Sequence, residues 1–143
     1  ILGAVAQETD FEHAMALDAG VYQQIGQVQG RVMRDQVGLD GEADAETTFE
    51  VLRTVIDMLG IDYEITASSP TRVEIKVGPC PIYHGAQNAG WEQAMICTSC
   101  HAGAMGFLDA AAKQFNPSLT WRLAGFRENA EGACIEEMVL ETS

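Results

Sequence analysis

Basic residues are scarce in this chain: eight lysines and arginines stand against twenty-one aspartates and glutamates, a formal net charge of −13. Such a surface repels phosphate backbones and anionic lipid, which sets nucleic acid and membrane surfaces aside and favours a basic partner protein. Long apolar runs are missing too, and nothing approaches the roughly 20 residues that a membrane-spanning helix needs. There is no internal repeat and no low-complexity segment. His-Glu-x-x-His, Gly-x-Ser-x-Gly and a phosphate loop are all absent, which removes the commonest hydrolase and nucleotide-binding signatures. What remains is 143 residues of which 47% are apolar, ordinary globular composition for one domain.

The pattern of apolar residues sets an order of elements. Phe11, Ala14, Met15, Val21, Tyr22, Ile25, Val28 and Val32 recur at spacings of three and four, predicting one long helix over residues 8–37 with these side chains on one face. Gly20, Gly26 and Gly30 interrupt it at a cost of about 1 kcal/mol each relative to alanine, so they point to a close crossing by another element. Asp44 reads as the N-cap of a second helix over 45–59, which Gly60 ends. The period then falls to two in Tyr63–Thr66 and Arg72–Val77, separated by the turn chemistry of Ser68-Ser69-Pro70-Thr71: a β-hairpin. Residues 82–90 read as a loop, 91–114 as a third long helix stopped by Asn116-Pro117, and Leu119–Phe126 with Cys134–Leu140 as a closing hairpin. The expected fold is α+β, in the order helix, helix, hairpin, helix, hairpin, with a small four-stranded antiparallel sheet packed on helices. Residues 8–143 form its single domain. Residues 1–7, Ile1-Leu2-Gly3-Ala4-Val5-Ala6-Gln7, read as an apolar arm or as the remnant of a signal peptide with Ala4-x-Ala6 as its cleavage site.

Chemistry concentrates in the second half, which holds all four cysteines: Cys80, Cys97, Cys100 and Cys134. The run Cys97-Thr98-Ser99-Cys100-His101 has the spacing of a c-type heme attachment site. Two thiols can form thioethers to the porphyrin vinyl groups while the adjacent histidine ligates iron. Heme c at Cys97 and Cys100 with His101 as proximal ligand makes the protein a mono-heme electron carrier with a redox partner. His84 is the first candidate for the sixth ligand, followed by Met95, Met105 and Met138. Cys80 and Cys134 are then free to pair as a disulfide, which fits an exported, periplasmic or extracellular protein. Two alternatives use the same residues. All four thiolates could ligate an iron–sulfur cluster or zinc in a cytoplasmic accessory protein. Alternatively one cysteine could act as a nucleophile with His84 or His101 as its base, giving a cysteine-dependent small-molecule hydrolase.

Cys80-Pro81, Cys97-x-x-Cys100, Phe115-Asn116-Pro117-Ser118-Leu119 and Gly132-Ala133-Cys134 together resemble the C-terminal part of the L-2-amino-thiazoline-4-carboxylate hydrolase-like family. More distantly they resemble the vinyl-reductase ligand-binding domains. The resemblance spans residues 80–140 and implies an α+β fold with a pocket for a small ligand or cofactor, the four cysteines occupying the family's cysteine positions. Ala133 stands where an acidic residue is usual, and His101 is an addition to the pattern. Glu136 and Glu137, on adjacent strand positions, point to opposite faces and read as a solvated pair. A homo-oligomer is compatible with the apolar first segment and the glycine-marked first helix.

Overall fold

The computed structural model describes residues 8–141, so the arm at 1–7 lies outside the described residues. Helix α1 (Glu8–Val37) and helix α2 (Ala45–Met58) come first. Strands β1 (Tyr63–Ser69) and β2 (Arg72–Val77) form the first hairpin. Helices α3 (Pro81–Asn88) and α4 (Gln93–Cys100) follow, then a π-helical turn over His101–Met105 that runs straight into α5 (Gly106–Phe115). Strands β3 (Leu119–Gly125) and β4 (Cys134–Leu140) close the chain. The four strands make one antiparallel sheet in the order β1-β2-β4-β3, so the last strand lies between β2 and β3 and joins the two hairpins. The α+β architecture expected from the sequence is the one observed.

Local signals explain the boundaries. The Asp44 carboxylate accepts the Thr47 N–H at 2.8 Å, capping α2, and Gly60 takes the left-handed conformation (φ 71°) that ends it. Arg34 reaches from α1 to the last carbonyls of α5, donating to the Gln114 and Phe115 oxygens at 3.0 and 2.7 Å, where a cation meets the negative end of the helix. Asn116 leaves the helix and stays buried, its side chain donating to the Ala43 carbonyl and accepting the Ser118 N–H.

One face of the sheet, with Val73, Ile75, Val77, Leu119, Trp121 and Met138, packs on α2 and α5. The opposite face carries Glu137 between Arg72 and Arg122, at 2.9 and 2.6 Å. Hydrogen bonds from Arg122 and Arg72 hold the Glu137 carboxyl below the usual carboxylate range. Helix α1 forms a further layer across α5.

Two sequence expectations are corrected here. Residues 82–90 are not a loop: Pro81 opens α3 at its first turn, where a missing N–H costs nothing, and does not merely break the preceding strand. The single apolar face expected for α1 is two faces. Phe11, Met15 and Met33 are buried beside Gly26 and Gly30, whereas Val21, Ile25, Val28 and Val32 lie exposed. The close crossing expected at the glycines does occur at Gly26 and Gly30, which meet the backbone of Phe107 and Ala111, while Gly20 stands open.

Candidate functional site

Helix α2, the sheet end and the rod from α4 through α5 enclose a cavity of about 400 Å³, within the range of small-molecule sites. Its walls are chiefly apolar: Ile56, Ile96, Met105, Phe107, Leu108 and Phe126. The π-helical turn contributes Gly103 and Ala104; such turns widen the helix locally and recur at functional sites. Into this apolar lining the fold sets Cys80, Cys100, Cys134, Glu136 and Arg127. A shallower depression at Arg53, Asp57 and Tyr63 is polar and holds no cysteine.

Register explains why these groups converge. Val77 pairs with Cys134 and Ile75 with Glu136, so both β4 side chains lie on the covered face of the sheet, below Cys100 on α4. Glu136 and Glu137 do point to opposite faces, but Glu136 is no solvated side chain. Its carboxylate accepts the Trp121 indole N–H at 3.0 Å, and burial raises its pKa above the usual 4.5 despite that bond and the nearby Arg127. Arg127 is 2% exposed. Its Nε and backbone N–H donate to Cys134 Sγ at 3.3 and 3.4 Å, and its other nitrogens reach the Gly132 and Gly78 carbonyls at 3.2 and 2.7 Å. The guanidinium also lies over the Tyr83 ring, 5.1 Å from its centroid. Tyr83 in turn donates to Gln93, which donates to the Arg127 carbonyl, tying α3 and α4 to this loop.

Burial pushes the Cys100 thiol up to about 12, with Glu136, Cys134, Cys80 and Cys97 adding to the shift. Cys97 is raised as well, by burial and then by Cys134. A reactive catalytic cysteine needs the opposite, a lowered pKa. Alkylation of Cys100 by iodoacetamide, followed by peptide mass spectrometry, is therefore expected to quicken about tenfold per pH unit from roughly pH 7 to pH 10. Glu136→Gln is expected to lower the thiol pKa and speed the reaction at every pH in that range. A rate that levels off below pH 9 would contradict this electrostatic picture.

The sequence-derived site divides on this geometry. Cys80, Cys100 and Cys134 meet at the cavity; Cys97, His84 and His101 do not line it, and both histidines are exposed. Met105 lines the cavity and Met138 lies in the core. The groups that sequence reasoning missed are Glu136, Arg127 and Trp121, and no local motif marks them.

A scan of protein-family models and a search of curated proteins give no match. Among solved structures, the fold is similar to that of a trafficking protein particle complex subunit 3 from Naegleria fowleri, crystallised covalently bound to palmitic acid. The TM-score is 0.52 at 14% identity, covering 90% of this chain and 82% of that one.

These findings correct the heme reading. The shared fold is that of a trafficking-complex subunit, and among the described residues no three His, Cys, Asp or Glu side chains are grouped to hold one metal ion. The proximal ligand proposed for iron, His101, sits exposed at the start of the π-helical turn, away from the cavity wall. The electron-carrier function falls with it. So does the Cys80–Cys134 disulfide, because all four cysteines are free. The exported, periplasmic or extracellular reading is corrected with them: the disulfide that fitted it is not formed and the fold is similar to that of a trafficking-complex subunit, while the signal-peptide-like segment at 1–7 that first suggested it lies outside the described residues. Among the described residues no helix is long and apolar enough to cross a membrane.

Proposed function

We propose that the chain is a binding module that encloses an apolar chain of the fatty-acyl kind, with Cys100 as the thiol able to carry it as a thioester, inside a larger protein assembly. One observation carries this reading: a chiefly apolar cavity of about 400 Å³ has a half-buried thiol, Cys100, in its wall. The similar fold of a trafficking-particle subunit with covalently bound palmitic acid supports both the ligand class and the assembly.

The chemistry follows from the environment of the thiol. In transfer from an acyl thioester, Cys100 Sγ forms a bond to the acyl carbon as the donor's C–S bond breaks, and the Cys100 proton leaves with the donor thiol. Nothing is oxidised or reduced. A thiol whose pKa is pushed up to about 12 attacks slowly at neutral pH, but as a thioester it is a poor leaving group in a water-poor wall. That combination suits retention of a ligand and is unsuited to turnover.

The test is intact mass after incubation with palmitoyl-coenzyme A at alkaline pH. One added palmitoyl group is expected, released by hydroxylamine, absent in Cys100→Ser and retained in Cys97→Ser, since Cys97 lies outside the cavity wall. Acylation that persists in Cys100→Ser but disappears in Cys97→Ser would refute the assignment.

A further inference from the structure

The exposed stripe of α1 is the feature that ligand binding leaves unused. Leu17, Val21, Ile25, Val28 and Val32 are 61, 53, 49, 58 and 42% exposed, although all are large and apolar. At 100° per residue they fall within an arc of about 80°, turned away from the Gly26–Gly30 face that lies on α5. Together they bare on the order of 500 Å² per protomer, a size that on soluble proteins is often functional.

We infer that this stripe is the two-fold interface of a homodimer, in which α1 pairs antiparallel with α1 of a second copy. The first argument is the spacing. Leu17 and Val32, and likewise Val21 and Val28, are equidistant from a point between Gln24 and Ile25. A two-fold axis there sets Leu17 against the partner's Val32, Val21 against the partner's Val28, and Ile25 beside the partner's Ile25. An isologous interface has to be self-complementary in this way, residue i meeting j and j meeting i.

Charge is the second argument. The chain carries a net charge of −13, so copies repel wherever carboxylates face each other. Between Asp18 and Asp35 there is no acidic residue, and the stripe is flanked by Gln24, Gln29 and Arg31. Two copies can therefore meet along this length without opposing carboxylates, and the glutamines can hydrogen-bond across the rim. With those flanking residues the face reaches about 800 Å² per partner, the area a standard stable interface buries.

Analytical ultracentrifugation of the whole chain tests this. The wild type is expected to sediment as a dimer at micromolar concentration, and Ile25→Glu/Val28→Glu as a monomer with an unchanged thermal melt, because neither side chain is buried in the protomer. Ile25→Cys, placed beside the axis, is expected to give a disulfide-linked dimer on mild oxidation, whereas Met58→Cys, 86% exposed on α2, is not. A monomeric wild type, a dimer that survives the double substitution, or cross-linking through position 58 but not 25 would each overturn the inference. Palmitoylation of Cys100 is read separately, so either result can stand without the other.

Discussion

Replacing Gly30 with valine is expected to destabilise the protein by about 3 kcal/mol and to lower the melting temperature by roughly 10 °C. A Cβ at this position would stand 2.7 Å from the Ala111 carbonyl oxygen, 2.8 Å from its Cα and 2.9 Å from Gln114 Cγ. Two of those three atoms are backbone, and they belong to α5, which α2 and β3 hold in place, so the clash cannot be relieved by turning a side chain. Helix α1 accepts the propensity cost of glycine because the crossing needs it. The facing residues Ala110 and Ala111 are small and buried for the same reason. Gly20 is the internal control. Nothing lies within 4 Å of its added Cβ, so Gly20→Ala is expected to stabilise by up to about 1 kcal/mol through helix propensity alone. Thermal melts of the two variants check both signs. A Gly30→Val protein melting within about 2 °C of wild type would mean that the helices do not cross as described.

The second large effect is expected at Arg127. Arg127→Met keeps much of the volume but strips the Gly78 and Gly132 carbonyls of their donor and leaves Cys134 Sγ with the backbone N–H alone. It also removes the cation that favours the ionised form of Glu136. Orphaned acceptors and an uncompensated buried carboxyl together are expected to cost about 3–5 kcal/mol, read from urea midpoints. Arg127→Lys is not expected to restore it, because a single ammonium group cannot span acceptors on three sides. The pH dependence supplies a sharper signature. In the wild type the Glu136 pKa is raised by folding, so its contribution is most favourable below the ordinary 4.5 and is lost as pH rises through the folded value. Removing Arg127 raises that pKa further, so the deficit of the variant is expected to shrink in acid. An equal deficit at pH 4 and pH 8 would contradict the coupling.

Much of the fold was legible because it rests on local chemistry. Asp44 and Gly60 bound α2 in the structure as their residue types suggest, and the change of period at Tyr63 marks the sheet. Helix α3 was not legible, because a proline after a strand signals a stop as readily as a helix start. The two faces of α1 show a deeper limit. Periodicity reveals that Val21, Ile25, Val28 and Val32 share a side, but not whether anything covers it, and here the glycines mark the covered side.

At the site, the sequence showed the convergence of cysteines better than their use. The short run at Cys97–His101 matched a heme motif by spacing, yet exposure at His101 is a tertiary property that no spacing encodes. Arg127 lies just before Glu128-Asn129-Ala130-Glu131-Gly132, where an arginine reads as solvated; it is buried only because the loop folds it under β2 and against Tyr83. Glu136 was legible as to face and misread as to environment, since strand alternation gives direction but not cover.

Native mass spectrometry with palmitic acid tests the central claim most directly, because it asks whether the cavity holds an apolar chain without requiring any covalent step. The wild type is expected to retain one palmitate per chain, and Ala104→Trp, which fills the cavity from the π-helical turn, to retain none while melting as a folded protein. Equal retention by the two proteins, or none by either, would contradict it.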